Sequence, residues 1–327
     1  MRFIHAWGTC EPSTSWRKGA TTLPPAFFHL AFNTLFLVAL LPASGYGQGG
    51  HLAKLAPRFD GWRAFADLER LVKFGPRPAG SPALGEARRW ILTQLKQAGA
   101  QVEEDSFTAS TPIGNLAMAN LIAMFPGRQS QVVMVAGHYD TKRFDEFRFV
   151  GANDGGSSAA LLLELARVLA DRSHRLTYWL VFFDGEEAVR EWTATDSLYG
   201  SRHLEQRLAS DGRLSRIQAM ILVDMIGDAG LEIHREANST PNLNDLVFGV
   251  AHRLGYGREF LDSPTAVEDD HMPFVNAGVA AVDLIDFDYG PDNSYWHTAQ
   301  DLPAHCSAQS LEVVGRVVQE SLASLDK

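Results

Sequence analysis

An apolar run that ends in carboxylates constrains this chain more than any other feature. Residues 178–183 read Tyr-Trp-Leu-Val-Phe-Phe and are followed at once by Asp184, Gly185, Glu186 and Glu187. A short apolar run that stops at a glycine predicts a strand buried on both faces. In open α/β sheets the ligand site lies outside the carboxyl ends of the strands. Because neighbouring carboxylates are costly to bury without a cation, we expect Glu186 and Glu187 at a metal site.

Further apolar runs alternate with segments whose apolar residues have helical spacing. The predicted strands besides 178–183 cover residues 101–108, 115–125, 131–136, 219–223 and 279–285. The predicted helices cover residues 59–74, 85–98, 159–169, 198–208, 242–254 and 307–325. This alternation predicts an α/β fold, a three-layer sandwich whose central sheet is mixed but mostly parallel and flanked by helices. A chain of 327 residues, 46% of them hydrophobic, suits one large catalytic domain over residues 59–327.

The first 45 residues have the pattern of a targeting segment. Arg17 and Lys18 precede an apolar stretch over residues 23–41, and the small residues of 42–45 follow it. The pattern predicts a signal peptide or an N-terminal anchor over residues 1–45, then a linker over 46–58. Prolines and polar residues inside the stretch disfavour a membrane span, although a retained anchor stays an alternative. We therefore expect a periplasmic or secreted protein.

The charge argues against one class of protein, and the cysteine content argues against a disulfide bond. The net charge is −10 and no long basic run occurs, which excludes a nucleic-acid-binding protein. Only Cys10 and Cys306 are present. Removal of the leader would leave Cys306 alone, so no intramolecular disulfide is expected.

Potential metal ligands follow several of the predicted strands or lie in the loops between them. They are His138, Asp140, Asp154, Glu186, Glu187, Asp224, Asp269, Asp270, His271 and His297. Imidazole and carboxylate together are the donor set that suits zinc. Taken singly, each is more typical of a surface or capping residue: Asp154 could cap the helix after it, and His297 could be a core histidine. Several of them at one edge of a sheet indicate a metal centre.

Five short segments resemble the zinc aminopeptidase superfamily with co-catalytic sites. They are residues 138–140, 153–156, 184–187, 223–225 and 296–298. A narrower resemblance is to the glutaminyl-peptide cyclotransferase branch of that superfamily, the peptidase M28-like group. It is carried by Trp192 and by residues 182–188, 196–204, 268–274 and 296–301, and it runs from about residue 59 to the C-terminus.

The resemblance implies a zinc site. Asp154, Glu187 and His297 match the three zinc ligands of the branch, and a fourth position stays free for water or substrate. His138 and Asp140 match positions that hold or orient the second metal in the two-zinc aminopeptidases, with a structural role as the alternative for His138, and Asp224 is an alternative ligand of that metal. One zinc ion is therefore expected and two are possible.

The resemblance also implies catalytic roles. Glu186 matches the general acid/base of the branch, and Asp224 and Asp269 match acids of its proton network. Trp192 and Trp296 match the aromatic walls of its substrate pocket, although ordinary packing is an alternative for both. His203 lies in a matched segment and is expected to be structural.

The implied activity is cyclisation of the N-terminal Gln of peptides or proteins to pyroglutamate, with release of ammonia. A zinc aminopeptidase and a non-catalytic peptide-binding module are the alternatives. The ligand set is nearly common to both enzymes, so only the tryptophans and residues 196–204 favour the cyclase. The chain departs from animal cyclases at Asp283, where they carry a His, and in lacking their cysteine pair. Gly155 and Gly156 are closer to the aminopeptidases.

Overall fold

A computed structural model describes residues 58–170 and 172–327 of the chain. The predicted leader over residues 1–45 lies outside the described residues, as does all but the last residue of the predicted linker. The division of the chain into leader, linker and catalytic domain therefore stays a prediction.

A mixed sheet forms the centre of the fold. Its strands are β1 (Gln101–Thr111), β2 (Gly114–Phe125), β3 (Val132–His138), β4 (Thr177–Phe183), β5 (Ile217–Asp224) and β8 (Ala281–Ile285), in the order β1-β2-β4-β3-β5-β8. The pairs β4–β3, β3–β5 and β5–β8 are parallel, whereas β1–β2 and β2–β4 are antiparallel. Every residue of β3, β4 and β8 is buried, which explains why their sequences are apolar except at Thr177, His138 and Asp283. The predicted mixed, mostly parallel sheet is confirmed.

Helices cover both faces of the sheet. They are α1 (Gly61–Val72), α2 (Pro82–Gln97), α3 (Gly156–Ala170), α4 (Tyr199–Ser210), α5 (Pro241–Leu254), α6 (Met272–Asn276) and α7 (Ala308–Leu325). One apolar cluster joins the sheet to α1, α2, α3, α5 and α7, and a second joins it to α4 and α6. The three-layer prediction is confirmed. Among the described residues, no helix has both the length and the apolar character needed to cross a membrane.

Several predicted boundaries were wrong, for local reasons. Helix α2 begins at Pro82 rather than Gly85, because the Ser81 side chain accepts a hydrogen bond from the Leu84 N–H and caps the first turn. Helix α3 begins at Gly156 rather than at residue 159. Strands β6 (Ile233–Glu236) and β7 (Phe260–Thr265), a separate parallel pair, were not predicted because both are short and partly exposed.

Candidate metal centre and active site

Three parallel strands end side by side and deliver the first group of site residues. Strand β3 ends at His138, whose neighbour in the sheet is Phe183 at the end of β4, and β5 ends at Asp224. Glu186 and Glu187 follow β4 by three and four residues, and both are buried. The carboxyl edge of the sheet is therefore rich in buried carboxylates, as the sequence predicted.

Two glycines allow the loops at this edge to approach the strand ends. Gly155 has φ +77°, and a Cβ there would lie 2.4 Å from the backbone oxygen of Asp140. Gly185 has φ +71°, and its Cβ would lie 2.7 Å from the sulfur of Met118. A side chain at position 155 would displace the Asp154 loop, because it would meet backbone; at position 185 the left-handed φ is the main constraint, because the flexible Met118 side chain can move aside.

Asp154, Glu187 and His297 form the first group of converging ligand atoms. His297 Nε2 lies 3.0 Å from Glu187 Oε1 and 3.2 Å from Asp154 Oδ2. Ligand atoms around a tetrahedral zinc lie about 3.3 Å apart, so these spacings are compatible with one ion. Asp154 Oδ2 and Glu187 Oε2 are buried, and their close polar neighbours among the described residues are His297 Nε2 at 3.2 Å and Lys142 Nζ at 3.6 Å, so both oxygens lie in surroundings that favour a cation.

Charge is unevenly distributed in this first group. Although burial lowers it, the two carboxylates raise the pKa of His297 to about 10, with Glu187 the main cause. Burial raises the pKa of Asp154, but hydrogen bonds from His138 and His297 outweigh it and hold that pKa well below its usual range. The two carboxylates thus draw a cation to this point, and a metal ion would take the place of the imidazolium proton.

His138, Asp154 and Asp224 form a second group of converging ligand atoms. His138 Nε2 lies 3.0 Å from Asp224 Oδ1 and 3.2 Å from Asp154 Oδ1. Its Nδ1 lies 3.5 Å from Asp140 Oδ1. The Asp154 carboxylate therefore belongs to both groups, one oxygen to each, which is the arrangement of a carboxylate able to bridge two metal ions.

Glu186 lies between these groups and Asp269. Its Oε2 is 3.9 Å from His138 Nδ1, and its backbone N–H donates to Asp140 Oδ1. Burial raises the pKa of Glu186 well above its usual value, and the carboxylates of Glu187 and Asp269 raise it further. Burial and Asp224 raise the pKa of Asp269 to about 7. The raised pKa of each group favours its protonated form, which is the direction that general acid/base chemistry near neutral pH requires.

Asp270 and His271 do not join either group of ligand atoms. The fully buried His271 places Nε2 3.2 Å from Glu236 Oε2 and Nδ1 3.8 Å from Asp283 Oδ2. These positions, which the sequence offered as potential ligands, form part of a separate group of buried acids beside the site. His271 does not reach either group of ligand atoms because its ring nitrogens interact with Glu236 and Asp283 instead.

A cavity of about 350 Å³ opens onto the first ligand group. Trp192, 40% exposed, and Trp296 both line it. The indole ring of Trp296 stacks on the His297 imidazole, with ring centroids 4.2 Å apart and an interplanar angle of 19°. The remaining lining residues are Lys142, Asp154, Glu186, Glu187, Asp224, Met225, Ala266, Val267, Glu268, Asp269, Ile285, Phe287 and His297.

Comparison with known proteins places the chain in a family. The model of peptidase family M28 matches residues 120–322. A glutaminyl-peptide cyclotransferase-like protein of Bos taurus is 34% identical over 277 residues, which cover 76% of this chain and 71% of that protein. The chain belongs to peptidase family M28. Within that family it is a member of the glutaminyl-peptide cyclotransferase branch, as its resemblance in sequence implied.

Solved M28 structures agree with this assignment. The glutaminyl cyclase of an Acidobacteriales bacterium superposes with a TM-score of 0.80 at 40% identity, covering 88% of this chain and 99% of that one. A Zn-dependent exopeptidase from Parabacteroides distasonis superposes with a TM-score of 0.74 at 25% identity, covering 82% and 99%. The M28 fold predicted from the sequence is therefore confirmed.

Asp301 is an M28-site residue that the sequence analysis missed. Its buried carboxylate accepts hydrogen bonds from the backbone N–H groups of Asn153, at 2.7 Å, and Asp154, at 3.1 Å. The Tyr289 hydroxyl donates to the same carboxylate at 3.1 Å. Its one sequence signal is its place four residues after His297, so that one loop carries both His297 and the carboxylate that holds the loop of Asp154.

His203 has the structural role expected of it. Its Nε2 lies 3.1 Å from Asp105 Oδ1, and its ring stacks on Phe107 at 4.1 Å between centroids.

His297 and Met225 have left-handed backbones, with φ +52° and +49°. Non-glycine residues adopt that conformation at a cost, and such residues concentrate at functional sites. No pattern in the sequence predicts the left-handed backbone at either residue.

Proposed function

We propose that this chain converts the N-terminal Gln of peptides or proteins to pyroglutamate and releases ammonia. The observation that carries the proposal is the meeting of three elements in one cavity. These are the first ligand group, a buried protonatable Glu186, and two tryptophans. The similarity to glutaminyl-peptide cyclotransferases supports the same reaction.

Zinc is the proposed cofactor, held by Asp154, Glu187 and His297. Two carboxylates and an imidazole are a donor set that fits this ion, and one ligand atom from each of the three residues lies within 4.8 Å of the others. When bound there, zinc supplies a Lewis acid that polarises the γ-carbonyl of the substrate Gln. The Asp301 carboxylate fixes the Asp154 loop through two backbone N–H groups, which orients this ligand.

Glu186 would move the proton that the reaction requires. The α-amine nitrogen of the peptide forms a bond to the side-chain carbonyl carbon, and the bond from that carbon to the amide nitrogen breaks. Glu186 accepts the proton lost by the amine and returns it to the departing nitrogen, which leaves as ammonia. The raised pKa of Glu186 suits both halves of this transfer. Since the ring closure is intramolecular, orientation in the pocket supplies a large part of the acceleration.

Asp269 and Asp224 would hold the proton network around Glu186. Asp269 raises the pKa of Glu186 by its charge, and Asp224 acts on Asp269 in the same way. Asp224 is itself fixed by His138 and by the Met225 backbone N–H at 2.8 Å. Trp296, stacked on His297, would contact the short Gln side chain, and Trp192 nearer the pocket entrance would help to exclude water, which would otherwise hydrolyse the amide.

The second ligand group favours one alternative, a zinc aminopeptidase with two metal ions. His138 and Asp224 converge with Asp154 Oδ1, the carboxylate oxygen that is not beside His297, as a second metal would require. In that enzyme Glu186 would act as the base for an attacking water, and the N-terminal residue would be released as a free amino acid.

Mass spectrometry separates the two activities. The purified full chain, supplied with zinc, is incubated with a Gln-initiated peptide and a matched Leu-initiated peptide. Loss of ammonia from the first peptide alone is expected. Release of free Leu or Gln would assign an aminopeptidase, and two unchanged peptides would favour a binding module.

We also propose export of the protein, with cleavage near residue 45. The proposal depends on the sequence of residues 1–45. N-terminal sequencing of the protein expressed with its leader in a bacterial host tests it, since an intact N-terminus in the membrane fraction would indicate an anchor.

A further inference from the structure

One carboxylate on the pocket wall has no part in the proposed reaction. Six acidic residues line the pocket: Asp154, Glu186, Glu187, Asp224, Glu268 and Asp269. Two of them bind the proposed zinc, and three belong to the proton network. Glu268 remains, and it is exposed.

Glu268 is unpaired within the part of the chain that the structure describes. Its side chain has neither a hydrogen-bond partner nor an ion-pair partner there. Among the described residues that line the pocket, Lys142 is the one lysine or arginine, and it is engaged elsewhere. Its Nζ donates to the Ala188 carbonyl at 2.9 Å and lies 3.6 Å from Glu187 Oε2. A cation from outside the described chain would therefore find Glu268 free.

Burial along the pocket shows which part of a substrate meets Glu268. Asp154, Glu186 and Glu187 are buried at the deep end, whereas Glu268 and Trp192 are exposed at the mouth. A substrate whose N-terminal Gln reacts at the deep end must leave the pocket through this mouth. The side chain nearest the mouth is then that of the second residue, because one peptide bond separates it from the reacting Gln.

We propose that Glu268 and Trp192 form a subsite for a cationic side chain at the second position of the substrate. This inference rests on the proposed cyclisation. A carboxylate attracts the charge, and the exposed indole can accept a guanidinium or ammonium group over its face. The preferred substrates are then peptides that begin with Gln-Arg or Gln-Lys.

The test compares peptides that differ in one charge. The full-length enzyme with zinc is given Gln-Arg, Gln-citrulline and Gln-Glu peptides of otherwise identical sequence, and kcat/KM for ammonia release is measured. Citrulline retains the shape of arginine without its charge. Because Glu268 is exposed, we expect roughly a two- to fivefold preference for Arg over citrulline, and a similar penalty for Glu. About 1 M NaCl should reduce both differences.

Glu268→Gln should abolish the preference for Arg while leaving kcat/KM for the citrulline peptide near the wild-type value. Glu69→Gln is the matched control, because Glu69 is an exposed acid on α1 that does not line the pocket. Equal rates for Arg and citrulline peptides in the wild-type enzyme would overturn the subsite. So would a preference that persists in Glu268→Gln. Failure of all three peptides to release ammonia would instead refute the proposed cyclisation.

Discussion

Two neighbouring groups of buried carboxylates solve the same electrostatic problem in different ways. In the ligand group, Asp154 and Glu187 face His297, whose pKa they raise to about 10. In the adjacent acid group, which contains Asp270 and Asp283, both carboxyls are buried and have few polar partners: Ser201 contacts Asp270, and His271 Nδ1 lies 3.8 Å from Asp283 Oδ2. Burial raises the pKa of both well above the usual range, and other carboxylates, Asp269 first, raise it further. The ligand group attracts a cation, whereas the acid group retains protons.

Because of this difference, the ligand group is suited to binding a metal ion and the neighbouring acid group is suited to holding protons, although both lie at the same edge of the sheet. The neighbouring imidazoles favour ionised carboxylates: they hold the pKa of Asp154 below its usual range, and His297 offsets part of the rise in pKa that burial and Asp154 impose on Glu187. Carboxyls without a cation are neutral when buried, because their charged form loses its hydration. Glu186 lies between the two groups and shares features of both, as a group that must alternately accept and donate a proton should.

Loss of the metal should have the largest effect on activity, because it removes the cation that distinguishes the ligand group from the acid group. We expect His297→Ala to abolish ammonia release, and treatment of the wild-type enzyme with a chelator to do the same until zinc is restored. Zinc at about 100 times its Kd should also stabilise the wild-type fold by about 2.7 kcal/mol, measured as a shift in thermal unfolding. Full activity in the metal-free enzyme would contradict the assignment of the ligand group.

Glu186→Gln should have the next largest effect, since it removes the proton carrier between the two groups. We expect turnover to fall by roughly 10²–10⁴-fold. Zinc content, measured by metal analysis, should be largely unchanged because Glu186 is not in the ligand group. Glu187→Gln is the matched comparison, and it should lose zinc as well as turnover. Retained turnover in Glu186→Gln would remove Glu186 from the mechanism.

Asp301→Asn should weaken zinc binding, although Asp301 is not one of the proposed zinc ligands. The amide that replaces one carboxylate oxygen cannot accept from both backbone N–H groups of residues 153 and 154. We expect zinc affinity to fall by about 10–100-fold in a chelator competition, as for other residues that orient a ligand. At saturating zinc, kcat should recover to near the wild-type value. A low kcat that zinc does not restore would indicate a role beyond positioning.

The sheet and the first ligand group could be predicted because their signals are local in sequence. Strands buried on both faces are unbroken apolar runs, and glycine with carboxylates directly after 178–183 shows where such a strand ends. Asp154, Glu187 and His297 lie in segments that resemble a known family. The structure brings these three together.

The rest depended on contacts between residues distant in sequence. Asp301 acts on a loop about 150 positions earlier, and no periodicity connects the two. The pairing of His271 with Glu236 has the same origin, as does the shared use of Asp154 by both ligand groups. Helix boundaries were wrong by up to three residues, since capping side chains such as Ser81 decide them.

Asp283→Asn should have the smallest effect, and it tests the proton-retaining half of the comparison. Because the pKa of Asp283 is higher in the folded chain than its ordinary 3.8, the folded state keeps a proton that the unfolded state releases. The free energy of unfolding therefore falls as pH rises above that value, by at most about 1.4 kcal/mol per pH unit for one such proton. We expect Asp283→Asn to flatten this decline, as measured by urea unfolding between about pH 5 and pH 8.

Asp262→Asn provides the matched control for that measurement. Asp262 is exposed, and its hydrogen bond from Arg235 lowers its pKa, so it has released its proton in both states across this range. Its replacement should leave the slope against pH unchanged. An equal slope in wild type and Asp283→Asn would mean that Asp269 and Asp270 hold the shared proton instead, since coupled carboxyls titrate as a unit. Zinc affinity should be the same in Asp283→Asn as in the wild type, because the acid group stores protons and does not bind the metal.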